Sequence, residues 1–266
     1  MIPKIIHYCW FGRNPLPEAY LHYIESWKRF CPDYEIREWN EDNFDVHQNQ
    51  YCSEAYQAGK WAFVSDYARL KIIYDNGGVY LDTDIEMVKP IDDLLVGEGF
   101  FGFQSSGQIN TGLGFAANKD SQILAYMLKI YDFRSFKIGT KYDMTPCPVI
   151  NSIALKKFGV KMDKKSSKNI QYISLNTGKP SDKLGGVMIL PEEYLNPLNV
   201  NTRKVVLTGN TYCIHHYAGT WISDNDKRSR IKQHIPAAIL SLRTDIISSR
   251  SIANFERKYA DQLANI

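Results

Sequence analysis

SDYARLKIIYDNGGVYLDTDIEMVK, residues 65–89, is the stretch of this 266-residue chain that decides its fold. Ala68, Leu70, Ile72, Ile73 and Tyr74 recur at near-helical spacing, so a helix is predicted over 60–75, its last turn reaching Asn76. Gly77 and Gly78 end it, because glycine accepts the positive φ that helix termination needs. Val79-Tyr80-Leu81 then restarts the chain as a short apolar strand, predicted over 78–82. Side chains alternate faces along a strand, so Asp82 and Asp84 point to one side and Thr83 to the other. Two carboxylates so placed repel each other, and a divalent cation such as Mn²⁺ or Mg²⁺ relieves that repulsion through hard oxygen ligands.

Working outward, residues 4–8 and 34–39 read as strands, and residues 17–30 and 51–58 as helices. Strand, helix, strand, helix, strand is the pattern of an α/β sheet with parallel pairing in its first half. Short strands are predicted near 99–103 and 112–116 around a glycine-rich loop, then helices at 120–132 and 149–158. Residues 161–185 carry six lysines and read as an exposed excursion, and strands are expected near 187–190, 204–207 and 211–216. A long last helix, with Pro236 in its first turn, runs toward 262.

A chain of this length supports one elaborated domain, divided here into a nucleotide-binding half, 1–116, and an acceptor-side half, 117–266. Hydrophobic content of 44% and charged content of 23% are those of an ordinary globular protein. The net charge of +3 is uneven, since residues 227–258 hold eight Lys/Arg against Asp245 and Glu256. On the last helix Ile235, Ile239, Leu242 and Ile246 make an apolar stripe, with Arg243, Arg250 and Arg257 every seven residues. That is a core-packed helix whose basic outer row can face lipid headgroups, a peripheral membrane contact; no nucleic-acid partner is expected. Five scattered cysteines without a Cys-x-x-Cys suggest neither a zinc site nor a disulfide framework. With no leader and no apolar run near 18 residues, the expected location is the cytoplasm.

Three further stretches carry candidate chemistry. Asp66 and Arg69 are three apart and share a helix face, either as an ion pair or as a carboxylate and a phosphate-binding guanidinium aimed at the Asp-x-Asp. Ile5-Ile6-His7-Tyr8-Cys9-Trp10-Phe11-Gly12 ends a strand with aromatics, where open α/β sheets bind ligands; Trp10 can stack on a base, Tyr8 can flank it or offer backbone, and His7 reads as buried structure. In Ile214-His215-His216-Tyr217-Ala218-Gly219-Thr220-Trp221 adjacent histidines point to opposite sides of a strand, so one of them can join the aspartates on a metal.

Ser-Asp-x-x-Arg followed by Gly-Gly-x-Tyr-x-Asp-x-Asp resembles the sugar-nucleotide site of glycosyltransferase family 32 and of the clostridial glucosylating toxins. The resemblance implies a single-domain GT-A fold (a Rossmann-like mixed sheet, here with a C-terminal helix), a nucleotide-sugar donor and retention of anomeric configuration without a protein nucleophile. Trp10 then stacks on the base. Asp82 and Asp84 hold the metal with His216, selected by the His-aromatic-x-Gly order of the related family 8, and with His215 as the fallback. Thr220 and Trp221 contact the diphosphate, Asp66 and Arg69 the sugar and phosphate, and Asn110 and Asn151 the donor sugar. UDP-sugar is the expected donor and GDP-mannose its rival. The expected acceptor is a glycan or lipid-linked saccharide of a bacterial capsule or O-antigen, at the inner face of the plasma membrane. An effector that glycosylates a protein and a non-catalytic nucleotide-sugar-binding module are the alternatives. A haloacid-dehalogenase phosphatase is discounted, because its Asp-x-Asp belongs on the first strand.

Overall fold

The computed structural model of the chain describes residues 1–163, 165–175, 185–199, 202, 204–218 and 249–266. A seven-stranded mixed sheet organises it. The strands are β1 (Ile5–Cys9), β2 (Glu35–Trp39), β3 (Gly78–Tyr80), β5 (Gly99–Gly102), β6 (Phe115–Ala117), β9 (Gln171–Ile173) and β10 (Val187–Leu190), in the order β2-β1-β3-β6-β5-β10-β9. Pairing is parallel between β1 and its neighbours and between β5 and β10, while β6 and β9 run against theirs. Five strands therefore present their carboxyl ends at one edge, and β9 and β10, from the later half of the chain, extend the same sheet. Two small ribbons complete it: β4 (Ile85–Met87) with β11 (Cys213–His215), and β7 (Lys137–Ile138) with β8 (Lys141–Tyr142).

Both faces of the sheet are covered over its central strands β3, β6, β5 and β10, which is why those strands are apolar throughout. Tyr80, Phe101, Phe115, Val187 and Ile189 point into a core shared with α2 (Gln50–Gln57), α3 (Trp61–Asn76), α4 (Gln122–Asp132) and α5 (Cys147–Lys157). Their neighbours Val79, Phe100, Ala116, Met188 and Leu190 point the other way, onto α1 (Glu18–Phe30), β4 and β11. Period-two alternation thus feeds two cores at once. From α1, the Trp27 indole donates to Ile85 O (2.8 Å) and the Ser26 hydroxyl accepts from Met87 N (2.9 Å), which holds β4 in place.

The predicted elements from residue 4 to 132 appear with ends shifted by at most two residues, apart from two displaced or shortened strands. The strand expected over 78–82 stops at Tyr80, and Asp82, Thr83 and Asp84 form a turn into β4, closed by Ile85 N on Asp82 O (3.1 Å). The second shortened strand is the one expected at 112–116: residues 111–113 are a single 3₁₀ turn, and extension starts at Phe115. The strand expected at 204–207 is a single bridge, Leu198 to Val205, with Val206 65% exposed; its β-branched run has no sheet to join. Of the long last helix, residues 249–258 and Ala260–Ala264 are helical, and the stripe at 235–246 lies outside the described residues. No described helix is long and apolar enough to cross a membrane.

Candidate active site

Gly77 and Gly78 set the site's first distance. Both adopt positive φ, and a Cβ on Gly78 would sit 2.8 Å from Ile5 O and 2.9 Å from His7 Nε2. Only glycine lets α3 turn straight into β3 beside β1. His7 is structural, as expected. One ring nitrogen bonds Gly77 O (3.1 Å) and the other accepts from the Trp39 indole (2.9 Å), and burial pushes its pKa down to about 4.

At the carboxyl end of β3, Asp82, Asp84 and His215 place one ligand atom each within 4.8 Å of one another, the only such group among the described residues. Both carboxylates are braced. Tyr80 donates to Asp82 Oδ1 (2.9 Å), and Arg69 lies 3.4 Å from the same carboxylate. Ala218 N donates to Asp84 Oδ2 (2.9 Å), and His215 Nε2 is 3.2 Å from Asp84 Oδ1. Burial pushes the Asp82 carboxyl above its ordinary range; Arg69 opposes this and Asp84 adds to it. Burial works the same way on Asp84, but His215 and the Ala218 amide outweigh it and hold that carboxyl low. Two carboxylate oxygens and an imidazole nitrogen, one carboxyl strained by burial, fit a divalent cation such as Mn²⁺ or Mg²⁺.

His216 is not part of this group, which corrects the expected ligand to the fallback, His215. The register pairs His215 with Ile85 and turns the next ring outward. There His216 meets Glu86 (2.9 Å) and stacks on Tyr23 at 4.5 Å, while its backbone N donates to Asp84 O.

Arg69, 4% exposed, is set between Asp66 (3.2 Å) and Asp82 (3.4 Å), with its Nε on Ser65 O. The expected ion pair and the expected approach to the Asp-x-Asp are therefore one arrangement. The guanidinium braces the carboxylates instead of standing free for phosphate. Asp66 lies almost buried beside Cys147, its carboxyl raised by burial.

Asn110 joins the same corner. A Cβ on Gly112 would meet Asp82 Oδ2 at 2.9 Å, Arg69 Nη1 at 3.0 Å and Asn110 Oδ1 at 3.0 Å, so three groups converge on the bare face of one glycine. Asn110 Oδ1 accepts from Gly112 N (2.8 Å), and its amide donates to Gln104 (3.0 Å). Asn151 corrects an expectation. It is fully buried inside α5, where its amide oxygen accepts from Thr111 N and Oγ1 (both 2.9 Å) and its nitrogen donates to Cys147 O. It holds the 110–112 loop from behind and has no surface for a sugar.

Trp10 follows β1 at the same edge, its indole donating to Asn14 O (2.7 Å) and its ring edge-on to Tyr20. Tyr8 is buried against Trp27 with its hydroxyl donating to Glu38 (2.7 Å), which leaves only its backbone for a ligand. Thr220 and Trp221 lie outside the described residues. Tyr80 and Cys147 were missed from the sequence. Tyr80 could have been found from its place in the Gly-Gly-x-Tyr-x-Asp pattern, whereas nothing local marks Cys147.

Residues 17–101, which include Asp66, Arg69, Asp82 and Asp84, match the family described as "Glycosyltransferase sugar-binding region containing DXD motif". An inositol phosphoceramide mannosyltransferase of Schizosaccharomyces pombe is 32% identical over 124 residues, covering 43% of this chain and 33% of that protein. An uncharacterized glycosyltransferase of Acanthamoeba polyphaga mimivirus is 34% identical over 108 residues, 38% of this chain and 42% of its own. The chain spans about a third of the length of the mannosyltransferases it matches. Among solved structures, the PaToxG glycosyltransferase aligns over 62% of this chain and 73% of its own, with 21% identity and a TM-score of 0.46.

Proposed function

We propose that the chain is a metal-dependent GT-A glycosyltransferase that moves a hexose from a nucleotide sugar to a glycan or lipid-linked saccharide, with retention of configuration. The observation that carries this reading is the convergence of Asp82, Asp84 and His215 within 4.8 Å, at the carboxyl edge of a sheet whose next strand leads into Trp10. Asp82, Asp84 and His215 hold Mn²⁺ or Mg²⁺, which supplies Lewis-acid neutralisation of the departing diphosphate. Arg69 keeps Asp82 ionised and aimed, Trp10 stacks on the base, and Asp66 and Asn110 form the floor on which the donor sugar lies. The mannosyltransferases among the relatives favour mannose among hexoses, and so raise GDP-mannose beside UDP-sugars as the donor. Surface polysaccharide synthesis at the inner face of a bacterial plasma membrane is the setting this reading fits.

A screen of UDP- and GDP-hexoses, scored by nucleotide release with Mn²⁺ or Mg²⁺, tests the reading. One donor should be turned over by the wild type and not by a folded Asp84→Ala variant. Tight binding of a donor that is never turned over, with any acceptor supplied, would leave a binding module instead.

A further inference from the structure

Along the carboxyl edge of the sheet the site has an order. Trp10 follows β1, Asp82 follows β3, Asn110 lies in the loop after β5, and Glu192 follows β10. Glu192 opens the single helical turn α6 (Glu192–Leu195) directly after Pro191. That turn is packed onto the end of β5, for a Cβ on Gly102 would lie 2.7 Å from Leu195 Cδ1, and Gly102 O accepts from Asn110 N (3.1 Å). The turn that carries Glu192 and the loop that carries Asn110 thus both pack on the end of β5.

Three side chains meet there and satisfy one another only in part, Asn196 reaching both Glu192 and Tyr217. Glu192 is half-buried, pairs with no cation among the described residues, and receives only a long bond from Asn196 Nδ2 (3.4 Å). Asn196 is 1% exposed, and its Oδ1 has no hydrogen-bond partner among the described residues. Tyr217 lies against Asn196 and carries a left-handed backbone (φ 51°), and its ring sits edge-on to His215 at 4.0 Å. Burial pushes the Glu192 carboxyl up to about 7, the cost of desolvating an anion with nothing to neutralise it. Unsatisfied buried acceptors and a non-glycine residue at positive φ destabilise a fold, and both cluster where a ligand completes the structure.

We propose that Glu192, Asn196 and Tyr217 form the subsite that receives the hydroxyls of the acceptor sugar, next to the donor sugar on Asn110. The Glu192 carboxylate accepts from a sugar hydroxyl, Asn196 holds that carboxylate from behind through its amide (3.4 Å), and the tyrosine ring offers an apolar face to the pyranose. A neutral polyol suits these groups: acceptors that lack protons meet ligand hydroxyls, and a phosphate or carboxylate would be repelled. The proposal rests on the glycosyltransferase reading, and its test separates the two.

With the donor found above, nucleotide release and disaccharide formation are measured against methyl α- and β-glycosides of glucose, galactose and mannose. Nucleoside diphosphate affinity is measured in parallel by calorimetry with Mn²⁺. At least one glycoside should be glycosylated by the wild type. Glu192→Gln should raise its KM about tenfold, the loss of one hydrogen bond to a charged group, with nucleotide affinity changed less than twofold. Glu193→Gln, one residue along and bonded to Asn210 (2.8 Å), should leave the acceptor KM alone. An unchanged acceptor KM in a folded Glu192→Gln, an equal rise in Glu193→Gln, or no glycoside accepted at all would each overturn the subsite. No donor turnover by the wild type would overturn the enzyme reading, and the subsite with it.

Discussion

Two carboxylates stand at the ends of two parallel strands of one sheet, and they are treated oppositely. At β3, Asp82 is enclosed by Tyr80 and Arg69, and Arg69 is in turn held by Asp66. At β10, Glu192 has a distant amide and no cation among the described residues. A braced carboxylate keeps its geometry before any ligand arrives, which suits an ion that demands fixed donor positions. An unbraced one keeps its hydrogen-bonding capacity open, which suits a neutral substrate that must come and go. Under the proposed reading, the same strand-end position would serve a bound ion at one place and a passing substrate at the other.

The largest expected effect sharpens the first half of that contrast. His215→Ala should weaken Mn²⁺ binding, followed by calorimetry, by at least about a hundredfold, whereas His216→Ala should change it far less. Equal losses from the two would break the assignment. Next comes the brace. Arg69→Ala leaves Asp66 and Asp82 without their shared cation and should cost about 3 kcal/mol in denaturant unfolding, at the low end for a broken buried pair because Asp82 keeps some contact with water. A variant as stable as the wild type would show that the pair is not the support described. The smallest effect concerns Glu192. Its folded-state pKa is raised to about 7 from 4.5, so the stability linked to it is present below pH 4.5 and is lost as pH rises through 7. Glu192→Gln should therefore melt higher than the wild type at pH 8 and no higher at pH 4.5. The same difference at both values would mean that the carboxylate is solvated.

How much of this was legible from the residues depends on how local the signal is. The α3 helix, its double-glycine stop and the apolar strand are local, and they stand nearly where the spacing put them. The aspartates came together although the strand gave out at Tyr80, because a turn can aim two side chains inward as well as a pleat can. The histidine pair was different. Alternation says that only one of two neighbours faces the site, but the choice lies in the pairing of β11 with β4, about 130 residues away, and β4 is held by α1. Asn151 was misplaced because α5 is buried on nearly every side, so no polar face marks what is inside. Val205, Val206 and Leu207 have strand composition without a neighbouring strand. Asp66 and Arg69 were readable at once as three apart on a helix, but their depth was not, since α3 is covered over most of its circumference.

Gly112 has one more consequence. Since the space its hydrogen occupies is bounded by Asp82, Arg69 and Asn110, no side chain can be added there without prising the ion corner away from the sugar loop. If the donor sugar lies on Asn110 as proposed, a side chain at position 112 would intrude beneath it, and a change of donor would have to be written outside, where Gln104, Ser106 and Gln108 form a hydrogen-bonded loop that reaches Asn110.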